Sequence, residues 1–523
     1  MVAGEPLSSA VSGSDDRFVL AIDLGSGALK VGAVTIAGEV GAVSEAEIGT
    51  ERPGPGAAVQ DAAGWWEMVR EHSRKVLMGI PADRVVAVSC TGQWASTVPV
   101  DGDGIPVGPC VTWLDTRGAR HSREVVGGPL MGYAPGAIAA WIRRSGGIPS
   151  PHGGDPVSHM LLIEREQPEV AAATRWYMEP VDYLTMRFTG RAAATHASMS
   201  AAWLTDNRHL DRLEYDSALV QRAGLLPEKL PPLVETGSIV GGVLPGVAAE
   251  LGIDPGARVV TGSPDLHSAA VGTGAIREGE PHMTISTTSW ISLPFPKKKT
   301  DAIRSIATVP GLDSRSYLVA NNHEAAGLCL RWLRGALHTG EPADFERLVE
   351  LAETAPPGSG GVIFTPWIAG ERSPVDDRNA RGGFHNLSAS TTNAELIRAV
   401  LEGVAYNSRW LNKAVERFAG IRLDPIRIFG GGAIPDLWCQ IHADVMERTI
   451  ERVAHPLHTN IRGAALLAAL ALGAVDRGEV RALVPVDRVF HPDPAVKEAY
   501  DRLYAEFPGL YKAQRKMFAR LNG

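Results

Sequence analysis

The sequence predicts an α/β protein of two domains flanking a central cleft, and three observations predict it. At 523 residues the chain outgrows one hydrophobic core. Two distant regions open alike, each with an apolar run and then a turn of glycine or hydroxyl residues. They are Phe18–Asp23 before Gly25-Ser-Gly27 and Met283–Ser286 before Thr287-Thr-Ser289. The last third carries long helical spacings. The repeated opening suggests a weak internal duplication with a ligand held between the halves. Asp254-Pro-Gly256 breaks the chain near residues 255–262, so the domains are expected at 17–258 and 259–523. Residues 1–16 are rich in Ser, Gly and Asp and lack an apolar core, which predicts a disordered tail rather than a signal peptide.

Each element follows from local pattern. Phe18–Asp23 and Val31–Ile36 form a hairpin, Glu39-Val-Gly41 makes the next turn, and Ala42–Ile48 is a third strand. Trp65–Met78 has helical spacing, and Val85–Ser89 is a short strand leading into Cys90-Thr-Gly-Gln-Trp94. Val98–Val100 and Val107–Trp113, joined by Asp101-Gly-Asp-Gly104, predict a second hairpin through Asp-Gly turn chemistry. Arg258–Thr261 is a strand, Leu266–Gly272 is helix-like, and Trp290–Leu293 continues the second opening. Helices are expected over Asn393–Phe418, Pro435–Glu447, Arg462–Leu472 and Ala499–Leu521, with a strand at Ile426–Phe429.

Composition narrows the class. Hydrophobic content of 45% and charged content of 21% are those of a soluble globular protein. A formal net charge of −8 argues against a nucleic-acid partner, which needs a basic footprint. Lys297-Lys-Lys299 is the only concentrated basic run and reads as a solvated loop. No stretch reaches 18 uninterrupted apolar residues, so no membrane span is expected. Cys90, Cys110, Cys329 and Cys439 are widely spaced without a CxxC pair, as in a reducing, cytoplasmic setting. His455 and His458 have no third ligand nearby in sequence and read as structural.

Three segments could carry chemistry. In Asp23-Leu-Gly-Ser-Gly-Ala-Leu-Lys30 the glycines would let backbone N–H groups approach a phosphate, with Ser26 adding a donor. Asp23 could hold Mg²⁺ through water, with Lys30 as a nearby point charge; alternatively, Asp23 caps a hairpin and Lys30 is solvated. Gly430-Gly-Gly432 could pass bare backbone beneath a flat base while Asp436 reaches a ribose hydroxyl, or could be a plain glycine-rich turn. Asp265, at a helix start, suits either an N-cap or a base accepting a proton from a hydroxyl. His267 is a second candidate base or a packed histidine. Neither a GxxxxGK[ST] nor a helix-opening GxGxxG is present, which removes motif support for Walker-type NTPases and Rossmann dehydrogenases.

Taken in order, these segments resemble the FGGY family of carbohydrate kinases in the actin-like ATPase superfamily, with the xylulokinase-like branch nearest. Further matching segments are Gln60-Asp61 with Trp65-Trp66, Cys90–Trp94, Trp113-Leu-Asp-Thr-Arg117 and Asp182-Tyr-Leu184 with Phe188-Thr-Gly190. Gly262–Gly274, Gly370-Glu-Arg-Ser-Pro374, Ala399–Ala405 and Phe429–Asp444 also match. The resemblance implies two actin-like (ribonuclease H-like) ATPase domains. The first would carry the sugar site and one phosphate turn, and the second the ATP site. It implies ATP and Mg²⁺ as cofactors, with phosphates between the Ser26-Gly27 turn and Thr288 and adenosine near Gly327, Gly432 and Asp436. Asp265 matches the family's catalytic base, and Asp23 and Asp265 would meet the metal through water. Gln93, Trp94, Ala95, Trp113 and Leu266 fall at sugar-pocket positions.

The departures bear on the acceptor. Xylulokinases have Gln-Met-His where this chain has Gln93-Trp94-Ala95. Leu266 replaces an Asn or Gln, Thr195-His196 replaces Ser-Asp, and Thr287 replaces the glycine of Gly-Thr-Ser. The expected activity is therefore ATP-dependent phosphorylation of a sugar or polyol hydroxyl with an altered acceptor preference. Ribulose, erythritol or a sugar acid are the alternative acceptors. A non-catalytic sugar- or nucleotide-sensing relative and an actin-like chaperone ATPase are the competing classes, the latter without a separate peptide-binding β-domain. Partners are expected to be small molecules, with a homodimer as a compatible assembly.

Overall fold

The computed structural model describes residues 16–130, 132–336 and 344–523. Of the expected N-terminal tail, all but Asp16 lies outside the described residues. Alternating apolar residues build the first sheet. Strands β1 (Phe18–Leu24) and β2 (Ala28–Thr35) form an antiparallel hairpin that sets Asp23 opposite Lys30. Strand β3 (Val40–Glu47) extends it. Helix α1 (Ala62–Leu77), capped by Asp61, returns the chain to β4 (Val85–Gly92), parallel to β1. After α2 (Pro180–Thr189), strands β5 (Ile239–Gly242) and β6 (Arg258–Val260) complete the order β5-β6-β4-β1-β2-β3. Division at 258/259 would cut β6 from this sheet, because Arg258 and Val259 pair with Ala87 and Val88. Helix α3 (Asp265–Gly272) follows directly.

The two faces of β1 are covered differently, as the strand period of two requires. Leu20 and Ile22 join Trp65, Trp66, Val69, Leu184 and Phe188 in one core. Val19 and Ala21 face a helix from far along the chain, through Ile461, Ala464, Ala465 and Ala468.

The second sheet repeats the plan. Strands β7 (His282–Ile285) and β8 (Ser289–Ser292) are an antiparallel hairpin, followed later by α4 (Gly327–Ala336) and α5 (Asn393–Ala419). Helix α5 opens with a Thr392/Glu395 capping box and ends at left-handed Gly420. Strand β9 (Ile426–Phe429), helix α6 (Asp436–Met446), strand β10 (Ile450–Val453), helix α7 (Thr459–Ala471) and strand β11 (Val486–Phe490) follow. Helix α8 (Lys497–Asn522) closes the chain. The order β8-β7-β9-β10-β11 has the same sequence of pairings as β2-β1-β4-β6-β5: antiparallel, parallel, parallel, antiparallel. The duplicated openings are thus duplicated topologies.

One expected hairpin is corrected. Val98–Val100 pairs with Trp176–Met178, and Cys110-Val111 pairs with Val59-Gln60. The two expected strands are joined less regularly, by the antiparallel bridges Val100 to Pro106 and Thr97 to Val111 and by the Val107 N–H donating to the Pro99 carbonyl. The Asp-Gly turn forms, while the regular ladders run to Trp176–Met178 and Val59-Gln60. A four-stranded sheet within residues 294–320 was not legible, its strands being two to five residues long.

Helices α3 and α7 cross with their backbones in contact. A Cβ on Gly463 would lie 1.8 Å from the Ser268 carbonyl oxygen, and one on Gly272 would lie 1.9 Å from that of Thr459. Only glycine fits at either place.

Candidate active site

The site forms where the parallel strands of both sheets end at their carboxyl termini, the usual place for ligands in α/β sheets. In the first lobe β1 runs into Gly25–Gly27, β4 into Gln93–Ala95, and β6 into Ser263–Asp265. In the second, β7 runs into Ser286–Thr288, β9 into Gly430–Gly432, and β10 into His455–His458.

Register brings the two acids together. Asp23 pairs with Thr91, and Thr91 with Ser263, so Asp265 starts its helix two strands from Asp23. Burial and the neighbouring Asp23 charge push the Asp265 carboxyl up to about 7, against a hydrogen bond from the Leu266 N–H. Asp23 is also raised by burial, opposed by Lys30 and by a hydrogen bond from Asn460. Lys30 is not free: its Nζ donates to the Leu457 carbonyl of the other lobe at 3.0 Å and lies 3.5 Å from Glu45. His267 is buried, bonded through Nε2 to the Pro310 carbonyl, and held below the usual imidazole range by burial. That environment makes it a packed residue, not a second base.

Gly27 is exposed, its φ is not positive, and a Cβ there would meet nothing within 4 Å. Neither backbone strain nor a protein neighbour requires a glycine here, and the space beside it is open. In the second lobe the turn is tied to α4, with the N–H groups of Gly327 and Ala326 donating to the Ser286 and Thr287 carbonyls. Gly327 thus lies beneath the Thr288 turn, its missing Cβ leaving room for the Ser286 carbonyl oxygen 2.6 Å away. Gly432 differs from expectation: it is buried, and a Cβ would strike Ile285 at 2.2 Å. Its smallness serves the core, and the bare exposed backbone is that of Gly431. Asp436 is engaged by Arg452 and Arg488, so a ribose hydroxyl would have to share it.

The expected acceptor residues split into a polar and an apolar set. Gln93 is buried and bonded to Ser26 and Gln60, and Trp113 Nε1 donates to Ser26 Oγ at 2.9 Å. Trp94 Nε1 donates to the Ser198 carbonyl at 2.8 Å. Ala95 adopts φ 61°, a left-handed conformation that costs a residue bearing a Cβ about 1–2 kcal/mol. The Ser96 N–H, just beyond, donates to buried Glu179. Leu266 packs with Ala270, Val309 and Leu318, beside Trp94 and Trp290. The sequence places Trp290 in a strand and Gln60 in a matching segment without showing their surroundings, and it gives no sign of Glu179. The first continues an ordinary apolar strand, and the other two announce themselves only through long-range partners.

Residues 18–272 match the N-terminal domain of the FGGY family of carbohydrate kinases, and residues 284–472 match its C-terminal domain. The chain belongs to the FGGY family of carbohydrate kinases. This FGGY kinase is 29% identical over 509 residues to a xylulose kinase of Staphylococcus epidermidis, covering 96% of this chain and 98% of that one. It is 27% identical over 469 residues to a gluconokinase of Bacillus subtilis, covering 88% of each. Among solved structures, a ligand-bound xylulose kinase from Lactobacillus acidophilus superposes with a TM-score of 0.86 at 22% identity, covering 97% of this chain and 100% of the other. The two-domain actin-like fold and the activity follow: the FGGY kinase phosphorylates a sugar at the expense of ATP. Among the described residues no helix is long and apolar enough to cross a membrane.

Proposed function

We propose that the chain is a Mg²⁺-ATP-dependent kinase of xylulose-like sugars or polyols with a shifted acceptor preference. The observation that carries this reading is the Asp23–Asp265 pair beside the open turn at Gly27. Two carboxylates without a third ligand suit magnesium, which keeps most of its waters and completes its shell on phosphates. ATP and the metal would supply the transferable phosphoryl group and neutralise its charge. Asp265 accepts the proton of the acceptor hydroxyl, and its raised pKa makes it a better base than an ordinary aspartate near neutral pH. Asp23, Ser26, Gly27 and Thr288 hold the phosphate side, with Lys30 bracing the lobes. Gly327 supports the Thr288 turn, while Gly431 and Asp436 lie toward the nucleoside. Retention of both acids disfavours a sensing role without catalysis.

Trp94, Leu266 and Trp290 present apolar surface at the acceptor end, which favours an acceptor deoxygenated, reduced or differently configured where a polar side chain would otherwise reach. We place the kinase in the cytoplasm, in keeping with four free, buried cysteines, and take a homodimer as the assembly to test by light scattering. A coupled ADP-release screen over pentuloses, hexuloses, polyols and sugar acids tests the whole reading. No acceptor-dependent ADP release from any class would overturn it.

A further inference from the structure

We propose that Gln60 is a positioning residue that aims the Ser26–Gly27 peptide into the cleft and couples it to the acceptor pocket. The inference rests on the reading of Gly25–Gly27 as a phosphate turn. Gln60 lies in the short strand Val59–Gln60 and is 1% exposed. Its Nε2 donates to the Ser26 carbonyl at 2.8 Å and to Thr50 Oγ1 at 2.9 Å, and its Oε1 accepts from Gln93 Nε2 at 2.9 Å. Gln93 Oε1 in turn accepts from Ser26 Oγ at 3.4 Å, and Ser26 Oγ accepts from Trp113 Nε1. Ser26, Gln60 and Gln93 therefore close a ring of hydrogen bonds. The ring fixes the Gln60 amide: flipped, it would set oxygen against the Ser26 carbonyl and nitrogen against the Gln93 amide nitrogen.

The consequence follows from peptide geometry. In a planar trans peptide the C=O and the next N–H point in opposite directions. Anchoring the Ser26 carbonyl inward on Gln60 turns the Gly27 N–H outward. Gly27 is exposed with open space around it, and its N–H has no acceptor among the described residues. Gln60 itself touches neither substrate; it acts through the peptide. The same ring carries Gln93 and Trp113, which stand at the acceptor end, so a shift of either is felt at the phosphate turn.

The test uses the full-length enzyme with Gln60→Glu, which keeps shape but removes both donated bonds, and Gln60→Met, which adds no buried charge. Gly27→Ala is run in parallel. We expect both Gln60 variants to lose about 10- to 100-fold in kcat, as for a displaced donor or an ångström of misplacement. KM for ATP and acceptor should stay within about threefold, with unchanged far-UV circular dichroism. A kcat within threefold of wild type for Gln60→Met overturns the proposal, as does a loss confined to KM or a loss of fold in both variants. If Gly27→Ala impairs ATP use while the Gln60 variants do not, only the Gln60 assignment fails. If Gly27→Ala is itself silent, the phosphate turn is misplaced and the proposal falls with it.

Discussion

Replacing Asp265 by asparagine should destroy activity and stabilise the protein, and the second effect should depend on pH. Raising the carboxyl from 3.8 to about 7 opposes its ionisation by up to about 4 kcal/mol. Asp265 is partly open to the cleft, so about 1–2 kcal/mol is a safer expectation. The sign follows from linkage. A carboxyl whose folded pKa is raised binds its proton more tightly in the folded state. Its stabilisation is full below the unfolded value and is lost as pH rises through about 7. Asparagine never ionises, so its advantage over aspartate is near zero at pH 4 and largest above pH 7. At about 2–4 °C per kcal/mol for a lobe of this size, Tm should rise by about 2–8 °C at pH 8.5 and hardly at all at pH 4.5. Over the same series kcat should fall by about 10²–10⁴-fold. The acid limb of wild-type kcat/KM, set by the free enzyme's base near 7, should disappear. Differential scanning calorimetry in matched buffers and a coupled assay read both effects. Near-normal turnover, or a Tm difference equal at both pH values, would refute the reasoning.

The other expectations are simpler. Gly27→Ala has no protein neighbour within 4 Å, so Tm should move by less than about 2 °C while kcat/KM for ATP drops at least tenfold, read by calorimetry and steady-state kinetics. Gly463→Ala would place a Cβ 1.8 Å from the Ser268 carbonyl oxygen and should destabilise by about 3 kcal/mol or more, seen as a lowered urea midpoint. Wild-type enzyme should use D-xylulose poorly, and Ala95→His with Leu266→Asn should raise its kcat/KM tens- to hundreds-fold, at about 1 kcal/mol or more per restored hydrogen bond. The φ of 61° at Ala95 works against histidine less than against a β-branched residue; efficient wild-type turnover of D-xylulose would show that other side chains read the sugar.

The two openings were legible because strand alternation and turn chemistry are local. Asp23, Gly25–Gly27 and Thr287–Ser289 fall at strand ends in both readings. Asp265 was legible as a helix start, but its pairing with Asp23 depends on strand register across Thr91, which spacing does not reveal. Gly432 misled because a glycine-rich turn looks alike whether the missing Cβ makes room for a base or for Ile285. The engagement of Asp436 by Arg452 and Arg488 is hidden in the sequence because those partners lie 16 and 52 residues further on. The strand Val98–Val100 found its partner at Trp176–Met178, beyond any hairpin rule.

The duplicated topology sets the proposed acceptor positions Ala95 and Leu266 on one lobe and most of the proposed nucleotide loops on the other. Each lobe offers three loops at equivalent strand ends, yet the lobes equip them differently. Two of those in the second, Ser286–Thr288 and Gly430–Gly432, are built from bare backbone and short hydroxyls, with Gly430 at φ 96°, and the third is His455–His458. Two of those in the first carry Gln93, Trp94 and Asp265, side chains with defined partners, and the third is the Gly25–Gly27 turn. Backbone recognition of a nucleotide is nearly blind to side-chain replacement, provided the glycines stay. Side-chain recognition of a sugar changes with every replacement. Ala95 and Leu266 are both in the first set, while Thr287 alone alters the second, and its hydroxyl is turned to Arg331 at 3.5 Å. With the nucleotide assigned to the backbone loops and the acceptor to Gln93–Ala95 and Leu266, as proposed, replacements at Ala95 and Leu266 should change which acceptor is phosphorylated and leave phosphoryl transfer itself intact.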